Sequence, residues 1–433
     1  MKSHIFQYFN LILGITILVG IMMPIISKAQ VTNRVSLGPG ENPSMSADGR
    51  FIVFGSRIYD RETEQFSGIP GEGESPTISA DGEILALLTD DGISIYNRQT
   101  GEILQVNDGR PFNAARDLSL SGDGRYVAFS TLSFLDDLNI FVHDYLTGET
   151  SKVSVDSNGI EGDDWSILPE ISRDGRYVTF TSAAENLVSG DTNGVPDVFV
   201  HDRQTGETTR VSDERGSDSS ISSDGRYVAY QSSGVHVYDR QTGMTITVPN
   251  PRSTSSNEHN FSPSISGDGR FVVFSKNDIS SLSFRTDLFV FDTQTGEMTL
   301  ISRGFDGQPN NASFGSYSPK ISDSGRFVTF QSKATNLVPD DTNDLEKIFL
   351  HDLGIETEPS VSSAEFHLAL LGVTIQQARD FIFSHVDEPE IIFNVASENN
   401  VTTSMLSEIV GFPTSDISAY FTSFGLDAAE LDN

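Results

Sequence analysis

Between residues 42 and 330 apolar and polar positions alternate in short runs, each bounded by Asp-Gly, Ser-Gly or Thr-Gly. A period of two with such punctuation predicts β-strands joined by tight turns, and no helical stripe interrupts it. The runs repeat as one phrase: Ser, a variable residue, Asp or Ser, Gly, Arg or Glu, then an apolar strand opening on an aromatic ring or Ile. Its seven copies begin at Ser46, Ser79, Ser121, Ser172, Ser222, Ser266 and Ser322, with spacings from 33 residues (Ser46 to Ser79) to 56 (Ser266 to Ser322).

Strand-only repeats of this length predict a β-propeller in which each repeat is one blade. The fullest copy, 168–212, divides into four strands over 168–172, 176–182, 197–202 and 207–212, with turns at Asp174-Gly175 and Arg203-Gln204-Thr205-Gly206. The fold class is therefore all-β: a seven-bladed propeller of four-stranded antiparallel blades over 30–358. The seventh copy departs from the pattern after Asp352 and has no fourth strand of its own. Asn33-Arg34-Val35-Ser36 matches the fourth-strand ending Thr209-Arg210-Val211-Ser212, so residues 31–37 are expected to complete the last blade. Closure of that kind leaves no open sheet ends inside the ring.

The period then changes. After a linker over 359–373, residues 374–433 show a spacing of about 3.6, which predicts a small all-α C-terminal domain. Ile375, Ala378 and Ile382 share one face, Pro389 opens a second helix, Met405, Leu406 and Ile409 mark a third, and Ile417, Tyr420, Phe421 and Phe424 form the stripe of a fourth before Gly425.

Two motifs carry a family resemblance: Pro-x-Ile-Ser-x-Asp-Gly-Arg-Phe-Val, as at 263–272, and Val-Phe-Val-x-Asp-x-x-Thr-Gly-Glu, as at 198–207. They resemble the TolB-like (WD40-like) propeller repeats of exported bacterial proteins over about three quarters of the chain, and the tail resembles a helical accessory module of extracellular proteins. The resemblance implies a periplasmic or secreted propeller that binds macromolecules through its faces. Turn and strand motifs specify a fold and not an activity.

Composition narrows the partners. With 61 acidic against 28 basic residues and a net charge of -33, the chain excludes a phosphate backbone, so no nucleic acid is expected. Residues 1–29 read as an export signal: Lys2, an apolar stretch from Leu11 to Ile26, and Ser27-Lys28-Ala29 before a cleavage that leaves Gln30 first. No membrane span is expected after cleavage; a retained anchor is the alternative. Cysteine is absent, which removes disulfides, thiolate metal sites and lipidation.

Candidate chemistry is sparse. The pairs His143-Asp144, His201-Asp202 and His351-Asp352 look catalytic, yet the other blades place Tyr59, Tyr96, Tyr238 and Phe291 at the histidine position, so packing and turn formation explain them better. No Gly-x-Ser-x-Gly elbow occurs, and His236, His259, His367 and His385 lack ligand spacing. Two long insertions, 186–197 and 336–344, alternate oxygen side chains as calcium loops do, which makes Asp191, Asn193, Asp197, Asp341 and Asn343 the metal candidates. Glu161, Asp163 and Asp164 beside the lone Trp165 form an acidic stretch suited to a sugar. No cofactor is required by these motifs, and calcium is the one the loops suit. The expected function is an exported, non-catalytic propeller that binds or scaffolds a protein partner; the alternative is a calcium-dependent carbohydrate-binding or lytic propeller with a glycan ligand.

Overall fold

A computed structural model describes residues 31–36, 42–71, 73–106, 115–131, 138–250, 260–278, 285–305, 307–308, 310–312 and 315–354, together with Ile382, Ile392, Phe393, Leu406, 420–422 and Leu426. The expected export segment and most of the expected helices lie outside the described residues. The chain divides into one unit over Met1–Ile355 and another over Glu356–Asn433. In the second, Ile382, Ile392, Phe393, Leu406 and 420–422 are helical, and the rings of Phe393 and Phe421 meet edge to face at 5.4 Å.

Among its described residues the first unit is all-β. Its strands form seven four-stranded antiparallel sheets. Blades 1 to 6 cover 44–68, 74–106, 115–152, 166–210, 217–247 and 260–300 in chain order, and blade 7 covers 316–352. The fourth strand of blade 7 is Val31–Arg34, paired antiparallel with Lys347–Asp352 in the register Val31 to Asp352 and Arg34 to Phe349. Beyond that strand, the backbone N–H groups of Val35 and Ser36 donate to the Ile348 carbonyl, and the Ile348 N–H donates to Ser36 Oγ. Ser212 Oγ serves Val198 N–H in the same way in blade 4, so the N-terminal segment does what a covalently attached fourth strand does elsewhere.

Each phrase of the repeat folds for a local reason. In blade 5, Ser222 Oγ donates to Asp224 Oδ1 and accepts the Tyr227 N–H, while Asp224 Oδ1 also accepts the Arg226 N–H. Three polar groups that a tight turn would otherwise bury unpaired are satisfied by two side chains. Arg226 then reaches across to Asp239 at the end of the third strand, at 2.8 Å, and equivalent pairs hold blades 1, 3, 4, 6 and 7. Blade 2 replaces both partners at once, with Glu83 and Asn97.

The core lies between blades. Ala128, Ile140 and Val142 of blade 3 pack with Ile171, Val178 and Phe180 of blade 4, and similar clusters recur around the ring. Where blades meet, the side chain that opens the second strand of one blade, an aromatic ring in six blades and Ile84 in blade 2, covers the turn glycine of the next. Tyr177 lies over Gly225 and carries the guanidinium of Arg240 on its face, 4.0 Å from the ring centre. Phe327 of blade 7 covers Gly49 of blade 1 and carries Arg61 at 4.2 Å, so the same fastening closes the ring.

Gly225 has φ +72, and a Cβ there would stand 2.1 Å from Tyr177 Cδ2. Gly225→Ala is expected to cost about 2–4 kcal/mol from backbone strain plus overpacking. Gly101, at φ +75 with nothing near a built Cβ, isolates the backbone part, and its alanine variant is expected to cost about 1 kcal/mol. Urea midpoints of the two variants read the difference directly.

Candidate functional site

Seven first strands surround the propeller axis and line a cavity of about 490 Å³. The first strands of blades 2 to 7 bulge, and at each bulge, as at the matching place in blade 1, stands a residue with positive φ: Asn42, Ser75, Asp117, Leu168, Asp218, Ser262 and Ser318, at +46° to +55°. All lie four residues before the turn serine. The bulge skips ladder positions, as between Phe261 and Ser264, so backbone groups leave the sheet there. Pro follows in five blades (Pro43, Pro76, Pro169, Pro263 and Pro319), where an N–H would have no ladder partner. This irregularity shifts the first strand of blade 4 to Ser166–Ile171, two residues ahead of the expected start at 168.

At the turn end, the variable residues of the sevenfold phrase are linked by backbone hydrogen bonds running from blade to blade: Ala47 N–H to Ala80 O, Ala80 to Gly122, Gly122 to Arg173, Arg173 to Ser223, Ser223 to Gly267, and Gly267 to Asp323. Ser324 N–H completes the circle on Ala47 O at 3.4 Å. Five of the seven residues are Ala, Gly or Ser, which keeps the axis open. The exceptions are Arg173 in blade 4 and Asp323 in blade 7, and they pair across the axis at 2.6 Å, with Ser223 Oγ also donating to Asp323 at 2.9 Å.

A second layer has the opposite polarity. Two residues before the turn serine the blades carry Ser44, Thr77, Ser119, Glu170, Ser220, Ser264 and Lys320. Lys320 Nζ meets Glu170 Oε1 at 2.8 Å, and Ser119 Oγ donates to Glu170 Oε2 at 3.2 Å. Blades 4 and 7 thus face each other with Glu and Arg against Lys and Asp. Glu170 raises the pKa of Lys320, while burial raises that of Asp218, whose charge Lys320 favours and Asp117 disfavours. Ser130 Oγ donates to Asp117 at 2.9 Å.

The residues singled out from the sequence lie elsewhere. Asp191, Asn193 and Asp197 do come together, but around Arg210: its guanidinium is 2.9 Å from Asp191 and 3.6 Å from Asp197, and Asn193 Nδ2 donates to Asp197 at 2.8 Å. In blade 7, Asp341 lies between Arg34 at 3.3 Å and the buried Lys347 at 3.2 Å, whose ammonium also donates to the Asn343 carbonyl at 2.6 Å. The cationic partners of these loops are supplied by the chain. Among the described residues no group of three or more His, Asp or Glu is arranged to hold a metal ion.

The acidic stretch is likewise committed to local contacts. Glu161 pairs with Lys152 at 2.7 Å, Asp163 accepts the Glu185 N–H, and Asp164 accepts the Trp165 N–H. The histidines of the His-Asp pairs use a ring nitrogen after all: His143, His201 and His351 share hydrogen bonds with Thr150, Thr208 and Thr32 on the adjacent fourth strand, at 2.8–2.9 Å. Packing alone is too small a role for them, because a threonine opposite gives the imidazole a polar partner that Phe66 or Ile103 cannot give Tyr59 or Tyr96. His236 stacks on Tyr230, and His259, His367 and His385 lie outside the described residues.

The cross-axis quartet escaped the sequence reading although its signal was present. Aligning the seven copies column by column shows two columns of small or hydroxyl residues broken by charge in the same two blades, with signs reversed.

Lys320→Glu is expected to destabilise the protein by about 1–2 kcal/mol at low salt, and adding Glu170→Lys to restore most of it. Because the loop carboxylates are already paired within the chain, calcium or a chelator is expected to leave the melting temperature unchanged.

No protein-family model matches the chain, and no curated protein matches it. Among solved structures it is similar to an oligogalacturonate lyase from Vibrio parahaemolyticus, at 14% identity over 74% of this chain and 93% of that one, with a TM-score of 0.52. An oligogalacturonate lyase in complex with manganese is similar at 14% identity over 75% of this chain and 90% of that one, TM-score 0.51. TolB from Acinetobacter baumannii aligns at 15% identity over 75% of this chain and 79% of that one, with a TM-score of 0.39. Likeness at these identities shows the fold and nothing of activity. The chain is a seven-bladed β-propeller of four-stranded antiparallel blades.

Proposed function

We propose that this protein is an exported, non-catalytic propeller that binds a protein partner on its turn face, over the mouth of the axial channel. The observation that carries this reading is where the blades differ. Turn serines and glycines repeat for structural reasons, whereas the charges of blades 4 and 7 break two otherwise small or hydroxyl columns and converge on one axis. Arg173 and Asp323 remain 46% and 37% exposed in their side chains, so a partner can reach them.

The rim favours a basic contact surface. Asp48, Asp81, Asp123, Asp174, Asp224 and Asp268 are exposed around the same mouth. Summed like charge of this kind raises the encounter rate with cationic surfaces and lowers it with anionic ones. Export is supported by Lys2 and the apolar run from Leu11 to Ile26 ahead of Ser27-Lys28-Ala29.

A second reading takes the lyase-like fold as a guide to an acidic oligosaccharide. The cations it would need, Arg173 and Lys320, are each engaged by a carboxylate, which disfavours a second anion.

A photo-crosslinking residue placed at Asp174 is expected to trap a discrete protein adduct in cells. The same probe at Met244, 70% exposed on the outer edge of blade 5, is expected to trap none. Arg173→Ala combined with Asp323→Ala should abolish the adduct. An adduct from Met244 but not Asp174 would refute the assigned face, and release of unsaturated product from an acidic oligosaccharide would refute the non-catalytic reading.

A further inference from the structure

The closing strand differs from every other fourth strand in how it is held. In blade 4 the strand Thr208–Arg210 follows the third strand through a short turn, so local fraying cannot carry it away. In blade 7, Val31–Arg34 has no such tether to Lys347–Asp352, and only noncovalent contacts keep it in place. They include the strand ladder, the Arg34–Asp341 ion pair, the bonds of Val35 and Ser36 to Ile348, the burial of Val35 against Ile348 and Leu350, and the hydrogen bond of 2.8 Å between Thr32 Oγ1 and His351 Nδ1.

His351 is 5% exposed, and its Nε2 is buried without a hydrogen-bond partner. A neutral ring with its tautomer set by Thr32 tolerates that position. An imidazolium does not, because its second N–H would have no acceptor in a site closed to water. We propose that the N-terminal strand is an acid-released latch, with His351 as the group whose protonation frees Val31–Arg34 from the seventh blade.

The surrounding charges do not rescue the protonated ring. Asp352, next in the chain, is engaged by Arg326 of the neighbouring strand at 2.9 Å and also feels Arg61 of blade 1. On the closing strand Arg34 is cationic, as is Lys347 at the start of the third strand, and both face Asp341. Burial accordingly pushes the His351 pKa down from 6.5 to about 4, with only Asp352 opposing. A lowered pKa means that the folded state binds fewer protons than the unfolded one between these values. The closure is therefore at full strength above pH 6.5 and loses it progressively as pH falls to about 4.

The Arg–Asp pairs at the blade turns outlast this window. The guanidinia of Arg50, Arg125 and Arg226 hold Asp60, Asp144 and Asp239 at about 2, and Arg176 lowers Asp202 further. Asp292 and Asp352 are lowered as well, against the cost of burial, by Arg270 and Arg326. Acid thus reaches the latch before it reaches the turns that hold each blade. Opening would expose the edge of Lys347–Asp352, a surface suited to pairing with another extended segment. The latch is independent of partner binding at the channel mouth.

Hydrogen exchange of the full-length exported protein, corrected for intrinsic rates, tests this at about pH 7 and about pH 4.5. Protection over 31–36 and 347–352 is expected to fall roughly fiftyfold relative to the fourth strands of blades 3 and 4. His351→Tyr and His351→Phe place the rings that other blades carry there, Tyr238 and Phe291, and at least one is expected to keep closure protection nearly independent of pH. His143→Tyr should leave the acid release of 31–36 unchanged. Three results would overturn the latch: unchanged protection over 31–36 in the native protein, equal loss in blades 3 and 4, or the same acid release in both His351 variants.

Discussion

Every blade depends on its successor to cover the side chain that opens its second strand, an aromatic ring in six blades and Ile84 in blade 2. The ring at the start of a second strand lies on the backbone of the next turn glycine, where any side chain would collide with it, and a guanidinium often closes over its other face. A blade alone would leave that ring and much of its sheet face in water, so stability belongs to adjacent pairs rather than to single repeats. Seven such contacts in a circle leave no terminal blade. The first and last are held as the others are, by Phe327 on Gly49 and by Ser324 on Ala47.

The circle still has a seam. Residues 31–36 repeat the contacts of a normal fourth strand almost atom for atom, with Arg34 acting on Asp341 as Arg210 acts on Asp191, and Ser36 serving Ile348 as Ser212 serves Val198. What they lack is the covalent turn. The cross-axis pairs join blade 7 to blade 4, three places away around the ring, and so support the seam blade from a direction that its neighbours cannot. Blades 4 and 7 also share the long second loops, which sets them apart as a matched pair within a common repeat.

Repetition makes function visible by subtraction. The acids of the Asp-Thr-Asn loops and those near Trp165 attract notice in the sequence because they interrupt the repeat, yet their partners are Arg210, Arg34, Lys347, Lys152 and nearby backbone amides. Insertions satisfy themselves, since a loop folded on a blade must pair its own polar groups. Single-residue departures inside a column cannot do so locally, and Glu170, Arg173, Lys320 and Asp323 find their opposite charges across the axis.

The sequence by itself determined the architecture: alternation set the strands, Ser-x-Asp-Gly set the turns, seven copies set the number of blades, and the match between Asn33–Ser36 and Thr209–Ser212 pointed to the segment that lies on blade 7. These are local properties, legible because a turn or a strand is specified by residues within a few positions of one another. The positive-φ residue at each first strand was not legible, since Leu168 and Asp218 share no composition that demands it. Nor was the pairing of Lys320 with Glu170 or the isolation of His351 Nε2. Only the tertiary structure decided those, because closing the ring brings together residues from blades distant in the chain and buries one imidazole nitrogen beside a strand from the opposite terminus.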